Sequence, residues 1–144
     1  MTATLGTTTT TSTTTTSTTR ILRPLVMTGG MAAAVASLAT TAVAAVGHAA
    51  GISLDMAGQP IPVLGFATLT AVFSLLGLAI AAVLLRRARN PHGTFVRVTV
   101  VLTATSLVPD ALADAGVATK ALLMLAHLVA AAIVIPALSR RLPA

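Results

Sequence analysis

IPVLGFATLTAVFSLLGLAIAAVLLRRAR, residues 61–89, is an uncharged apolar run closed by Arg86, Arg87 and Arg89. A helix over residues 61–85, rising about 1.5 Å per residue, is long enough to cross a hydrocarbon core of ~30 Å. Hydrocarbon offers backbone groups no hydrogen bonds, so a spanning segment is a helix or belongs to a closed barrel. A barrel strand alternates apolar and polar residues, and this segment is apolar on nearly every side. It reads as a membrane-crossing helix.

Working outward, residues 25–46, 95–115 and 120–138 carry the same signature. The expected fold class is therefore an all-α membrane protein, a four-transmembrane-helix bundle. Residues 21–144 form its one domain. Residues 1–20 form a tail that is entirely Thr and Ser from Thr7 to Thr19. Such a segment has too little apolar surface to offset its ordering entropy, so disorder is expected there.

Composition agrees. Hydrophobic residues make up 56% of the chain and charged residues 8%, far from the quarter found in soluble domains. The net charge of +6 does not point to nucleic acid, because the arginines flank apolar runs and stacking aromatics are scarce. Cysteine is absent, which removes disulfides, thiolate catalysis and Cys-ligated zinc.

The arginines set an expected orientation. Arg20, Arg23, Arg86, Arg87, Arg89, Arg97, Arg140 and Arg141 all fall on one side of a four-span chain. The alternate loops hold Lys120 together with Asp55, Asp110 and Asp114. By the positive-inside rule, both termini and the Thr-rich tail are cytoplasmic, in a bacterial cell membrane. Arg86, Arg87, Arg89, Arg140 and Arg141 are then placed to contact anionic lipid headgroups. The first span is longer than a signal-peptide core and reads as an uncleaved anchor.

Local signals give provisional boundaries. Pro24 suits the start of the first helix, and residues 49–60, with Gly51, Gly58 and Pro60, make a loop. Thr94 and Thr119 are placed to cap the third and fourth helices, with Gly116 ending the third. Small residues recur every four positions at Ala33, Ser37, Thr41 and Ala45, and again at Thr70–Ser74 and Gly77–Ala81. That spacing favours close helix packing.

Chemistry-bearing residues are few. Thr99, Thr103, Ser106 and Asp110 share one helix face, and Pro109 withdraws the N–H that would bond the Thr105 carbonyl. Asp110 lies about 20 Å along the helix from Arg97, and His127 sits at a comparable depth on the next span. Contact between them would keep a carboxylate out of bare hydrocarbon. The alternatives are hydroxyls bonded to their own helix, Asp110 facing interfacial water, and a neutral His127 bonded to a neighbouring helix. His48 and His127, on different spans, could in number ligate a bis-imidazole haem, but no further ligand spacing supports that reading, and Asp110 with Asp114 lacks a calcium loop. No nucleophile–base set, phosphate loop or HExxH pattern appears, so no cofactor, no metal and no enzymatic activity are expected.

GFATLTAVFSLLGLAIA (residues 65–81), FVRVTVVLTATSLVPD (residues 95–110) and HLVAAAIVIPALSRRL (residues 127–142) resemble a family of small four-span membrane proteins from actinobacteria, of unknown function. The resemblance covers roughly residues 22–142 and implies one four-helix domain in the cell membrane. Small multidrug exporters are similar only in span number. Their mechanism uses a first-span glutamate and aromatic side chains, and this chain has no glutamate. The expected role is a non-enzymatic structural or interaction component whose partners are the bilayer and another membrane protein or a second copy. The alternative is a small-solute or proton-coupled transporter using the Asp/His face.

Overall fold

A computed structural model describes residues 13–144, and side-chain surroundings from residue 21 onward. The described chain runs through helix α1 (Thr13–Ala49), strands β1 (Asp55–Met56) and β2 (Gln59–Pro60), then helices α2 (Val63–Arg87), α3 (Pro91–Leu112) and α4 (Val117–Ser139). All four helices are long and apolar enough to span a membrane, with residues 21–49 as the qualifying part of α1. The fold is a four-helix bundle. α1 packs on α2 and α4, while α3 rests mainly on α4.

The helix boundaries correct several expectations. α1 includes backbone from Thr13, within the segment expected to be disordered, and Pro24 lies inside it. Extending a helix that a long apolar span has already nucleated costs far less than starting one. Residues 1–12 of the tail lie outside the described residues. α3 is capped by Asn90, not Thr94: the Asn90 side chain accepts from the Gly93 N–H at 2.7 Å, and Pro91 occupies the first turn. Pro91 fits because its missing N–H would lack a helical partner at that position. α3 continues through Pro109 and ends at Leu112, and Gly116 begins α4 rather than ending α3.

The loop expected at residues 49–60 contains an antiparallel hairpin, with Asp55 opposite Pro60 and Met56 opposite Gln59. Ala57 and Gly58 have φ of 51° and 72°. Two successive left-handed residues match the right-handed twist of the flanking strands, as in a type I′ turn. Ala57 stands where Asn or Asp usually marks this turn, so the sequence carries only Gly58 as its signal.

Apolar residues occupy both the interior and much of the surface of the bundle. The buried face of α1 is Leu25, Gly29, Ala32, Ala33, Ala36, Thr40, Ala44 and Gly47. This row is rotated from the expected one: Ala33 belongs to it, whereas Ala45 is exposed. It meets a face of α2 containing Phe66, Thr70, Ser74 and Ala81, where the Thr40 and Thr70 hydroxyls bond at 2.9 Å. A Cβ at Gly29 would lie 2.7 Å from Leu78 and 3.1 Å from Leu138; one at Gly47 would overlap Leu122. Glycine at these positions lets the backbones of α1, α2 and α4 approach closely. Many large apolar side chains also point outward. Phe66 is 7% exposed and Phe73, two turns further along α2, is 61% exposed. Continuous exposed apolar surface of this kind requires a lipid or protein covering.

Two apolar clusters occupy opposite ends. Leu25, Ala81, Phe95, Val134, Leu138 and Leu142 belong to the cluster at the end carrying the arginines. Ala44, Leu54, Phe66, Leu122, Leu123 and Ala126 form the other, at the hairpin end. Leu54 comes from the hairpin segment, so this segment plugs the bundle rather than looping away from it.

Candidate functional site

The expected polar face of α3 has one side turned into the bundle. Thr99 and Asp110 are buried, Thr103 and Ser106 are half-buried, and Val100, Val101, Ala104, Thr105 and Val108 are exposed. Three of the hydroxyls are turned back on their own helix. Thr99 donates to the Phe95 carbonyl at 2.7 Å, Thr103 to Thr99 at 2.8 Å, and Ser106 to Thr103 at 2.7 Å. Such bonds satisfy a hydroxyl within an apolar helix and need no external ligand.

Asp110 is the exception. Its Oδ2 lies 2.8 Å from His127 Nδ1 on α4, with side-chain exposures of 10% for Asp110 and 38% for His127. The structure therefore brings the two expected partners into contact. The approach is a close polar contact rather than an aligned hydrogen bond, and Oδ2 is otherwise buried without a hydrogen-bond donor. His127 Nδ1 also sits 3.1 Å from the Leu123 carbonyl one turn earlier in α4. Imidazole thus connects a carboxylate on one helix to a backbone carbonyl on another, with the carboxylate nearly enclosed.

The surrounding segments hold this end together. Thr119, expected as a cap, is instead buried and donates to the Ser53 carbonyl. The helix needs no hydroxyl there because it starts earlier, at Val117. Ala57 N–H donates to the Asp114 carbonyl at 2.8 Å, and Lys120 Nζ to the Ala111 carbonyl at 3.1 Å. These contacts tie the hairpin, the end of α3 and the start of α4 into one cap. His48 lies away from the pair, in an open groove with Ser53, Leu54, Asp55 and Ile61. No group of three or more potential metal-ligating side chains occurs among the described residues.

Arg86, Arg87, Arg89, Arg140 and Arg141 are exposed at the opposite end. His92 N–H donates to the Pro143 carbonyl at 3.1 Å, holding the end of the chain beside the α2–α3 turn. Arginines distant in sequence are consequently gathered around one rim.

A model for a family of unknown function, DUF6069, matches residues 20–144. The chain belongs to that family. The match takes in every apolar helix and leaves out most of the Thr-rich tail, so DUF6069 describes the bundle itself, with Asp110, His127 and the arginine rim inside it. No curated protein and no solved structure matches the chain.

Proposed function

We propose that the protein is a non-enzymatic, multi-pass component of a bacterial cell membrane that acts by packing against another membrane protein or a second copy of itself. The observation behind this reading is the direction of its side chains. The polar stripe bonds inward or to its own backbone, while large apolar residues such as Met31, Leu38, Phe73 and Leu112 face outward. The chemistry it offers its surroundings is apolar surface.

The orientation within this reading places the arginine rim and both termini in the cytoplasm, with Arg86, Arg87, Arg89, Arg140 and Arg141 against anionic headgroups. The positive-inside rule supports it, since the three aspartates and Lys120 lie on the opposite loops or helix ends. Guanidinium groups also suit phosphate because their planar donors engage two oxygens together.

Association is tested with donor- and acceptor-labelled protein in liposomes at falling protein-to-lipid ratio. Energy transfer above random proximity is expected for self-association. Random proximity, together with proton or solute flux into the liposomes, would overturn the packing reading.

One observation favours a second reading, proton-coupled or small-solute transport. Asp110 and His127 form an ionisable pair on membrane-length helices, and such residues commonly mark transport pathways. The corresponding result is flux that disappears on Asp110→Asn while the folded fraction is unchanged.

A further inference from the structure

We infer that Asp110 and His127 form a one-proton exchange site in which Nδ1 stays protonated, Nε2 gains and loses the proton, and Asp110 is the fixed counter-charge. This extends the packing reading and names the proton as the species the pair itself can hold. It rests on the side-chain geometry and not on transport.

The two oxygens around Nδ1 carry the argument. Leu123 O lies 3.1 Å from Nδ1, and Asp110 Oδ2 lies 2.8 Å from it. A backbone carbonyl never donates a hydrogen bond. If Nδ1 held a lone pair it would face the Leu123 oxygen without a proton between them, and the contact would be repulsive. A protonated Asp110 donating to Nδ1 leaves that conflict in place. A proton on Nδ1 removes it, bonding to Leu123 and drawing the nearby carboxylate electrostatically. The ring is therefore either the neutral Nδ1–H tautomer or the imidazolium.

Both forms leave Nε2 as the atom where protonation changes. It lies across the ring from the carboxylate, on the side chain that keeps 38% of its exposure. Uptake places a proton on the Nε2 lone pair and turns a carboxylate beside neutral imidazole into a neutral ion pair overall. Release reverses this; no bond to carbon forms and no electron is transferred.

Other charged groups leave this assignment intact. On α4 Lys120 reaches Ala111, in the α3–α4 connection Asp114 is exposed, and on α3 Arg97 is exposed toward the other end; the hairpin contributes Asp55 and the end of α1 contributes His48, both at the separate groove. Asp110–His127 is the one carboxylate–imidazole contact among the described residues.

The test is nitrogen NMR of imidazole-labelled full-length protein in lipid nanodiscs between pH 4 and pH 9 (roughly the range over which histidine changes charge). The expected result is Nδ1–H at the alkaline end and both nitrogens protonated at the acidic end. Asp110→Asn should keep the Nδ1–H tautomer, which Leu123 fixes; a switch to Nε2–H in that variant would overturn the assignment to Leu123. An Nε2–H tautomer, or a ring that does not titrate, would overturn the inference using the unaltered protein alone. Titration as expected without liposome flux would refute transport and leave the exchange site standing.

Discussion

The two ends of the bundle are built differently. At the arginine end, Phe95, Leu25 and Leu138 are fully buried, the cations remain outside, and one backbone bond from His92 to Pro143 secures the chain end. At the hairpin end, a loop segment enters the bundle, Thr119 bonds to Ser53, and a carboxylate is enclosed beside an imidazole. The first end is held by apolar packing with charge left at its rim. The second depends on particular polar partners. An enclosed polar group loses more when its partner is removed than an exposed charge does.

That difference predicts an order of effects. Gly47 sits against Leu122 on the α1–α4 seam, so Gly47→Val should have the largest effect, a loss of about 1–3 kcal/mol from overpacking. Thermal unfolding in detergent measures it. Adding Leu122→Ala should restore part of the loss, because neighbouring sites do not add. Purely additive effects would show that the two helices do not meet there.

Asp110→Ala should follow, with a smaller loss through removal of the carboxylate's electrostatic contact with His127. A variant as stable as the unaltered chain would show that the pair contributes no net stability. Thr119→Val is expected to be milder, about 0.5–1.5 kcal/mol, through loss of the bond to Ser53. Faster amide exchange confined to the hairpin is its specific signature; exchange that rises equally at both ends would contradict the proposed local cap. Replacing Arg86, Arg87 and Arg89 together with Gln should change the melting temperature least, since these side chains are exposed. A loss as large as that of Gly47→Val would erase the contrast between the ends.

Much of the bundle was legible because a long apolar segment satisfies one physical demand, the hydrogen bonding of its own backbone. The polar stripe was legible for a related reason: residues at helical spacing share a face wherever the helix begins. Caps were less visible. Asn90, Thr94, Gly116 and Thr119 all carry suitable chemistry for a terminus, and position along the chain does not say which will be free to act. Thr119 went to Ser53 because the hairpin folds back over α4, a contact between residues far apart in sequence. Depth and direction along the helices point to the Asp110–His127 contact, but nothing in the spacing points to the Leu123 carbonyl beside Nδ1. That third group depends on the rotamer of His127, which spacing alone does not determine.

Reporter fusions placed at Gly58, Gly116, Pro91 and the C-terminus test the four-span arrangement most directly. With both termini on the arginine side, fusions at Gly58 and Gly116 should report the outside of the membrane, while those at Pro91 and the C-terminus should report the cytoplasm. Opposite signals from Pro91 and the C-terminus, or the same signal from Gly58 and Pro91, would contradict four alternating spans oriented by their arginines.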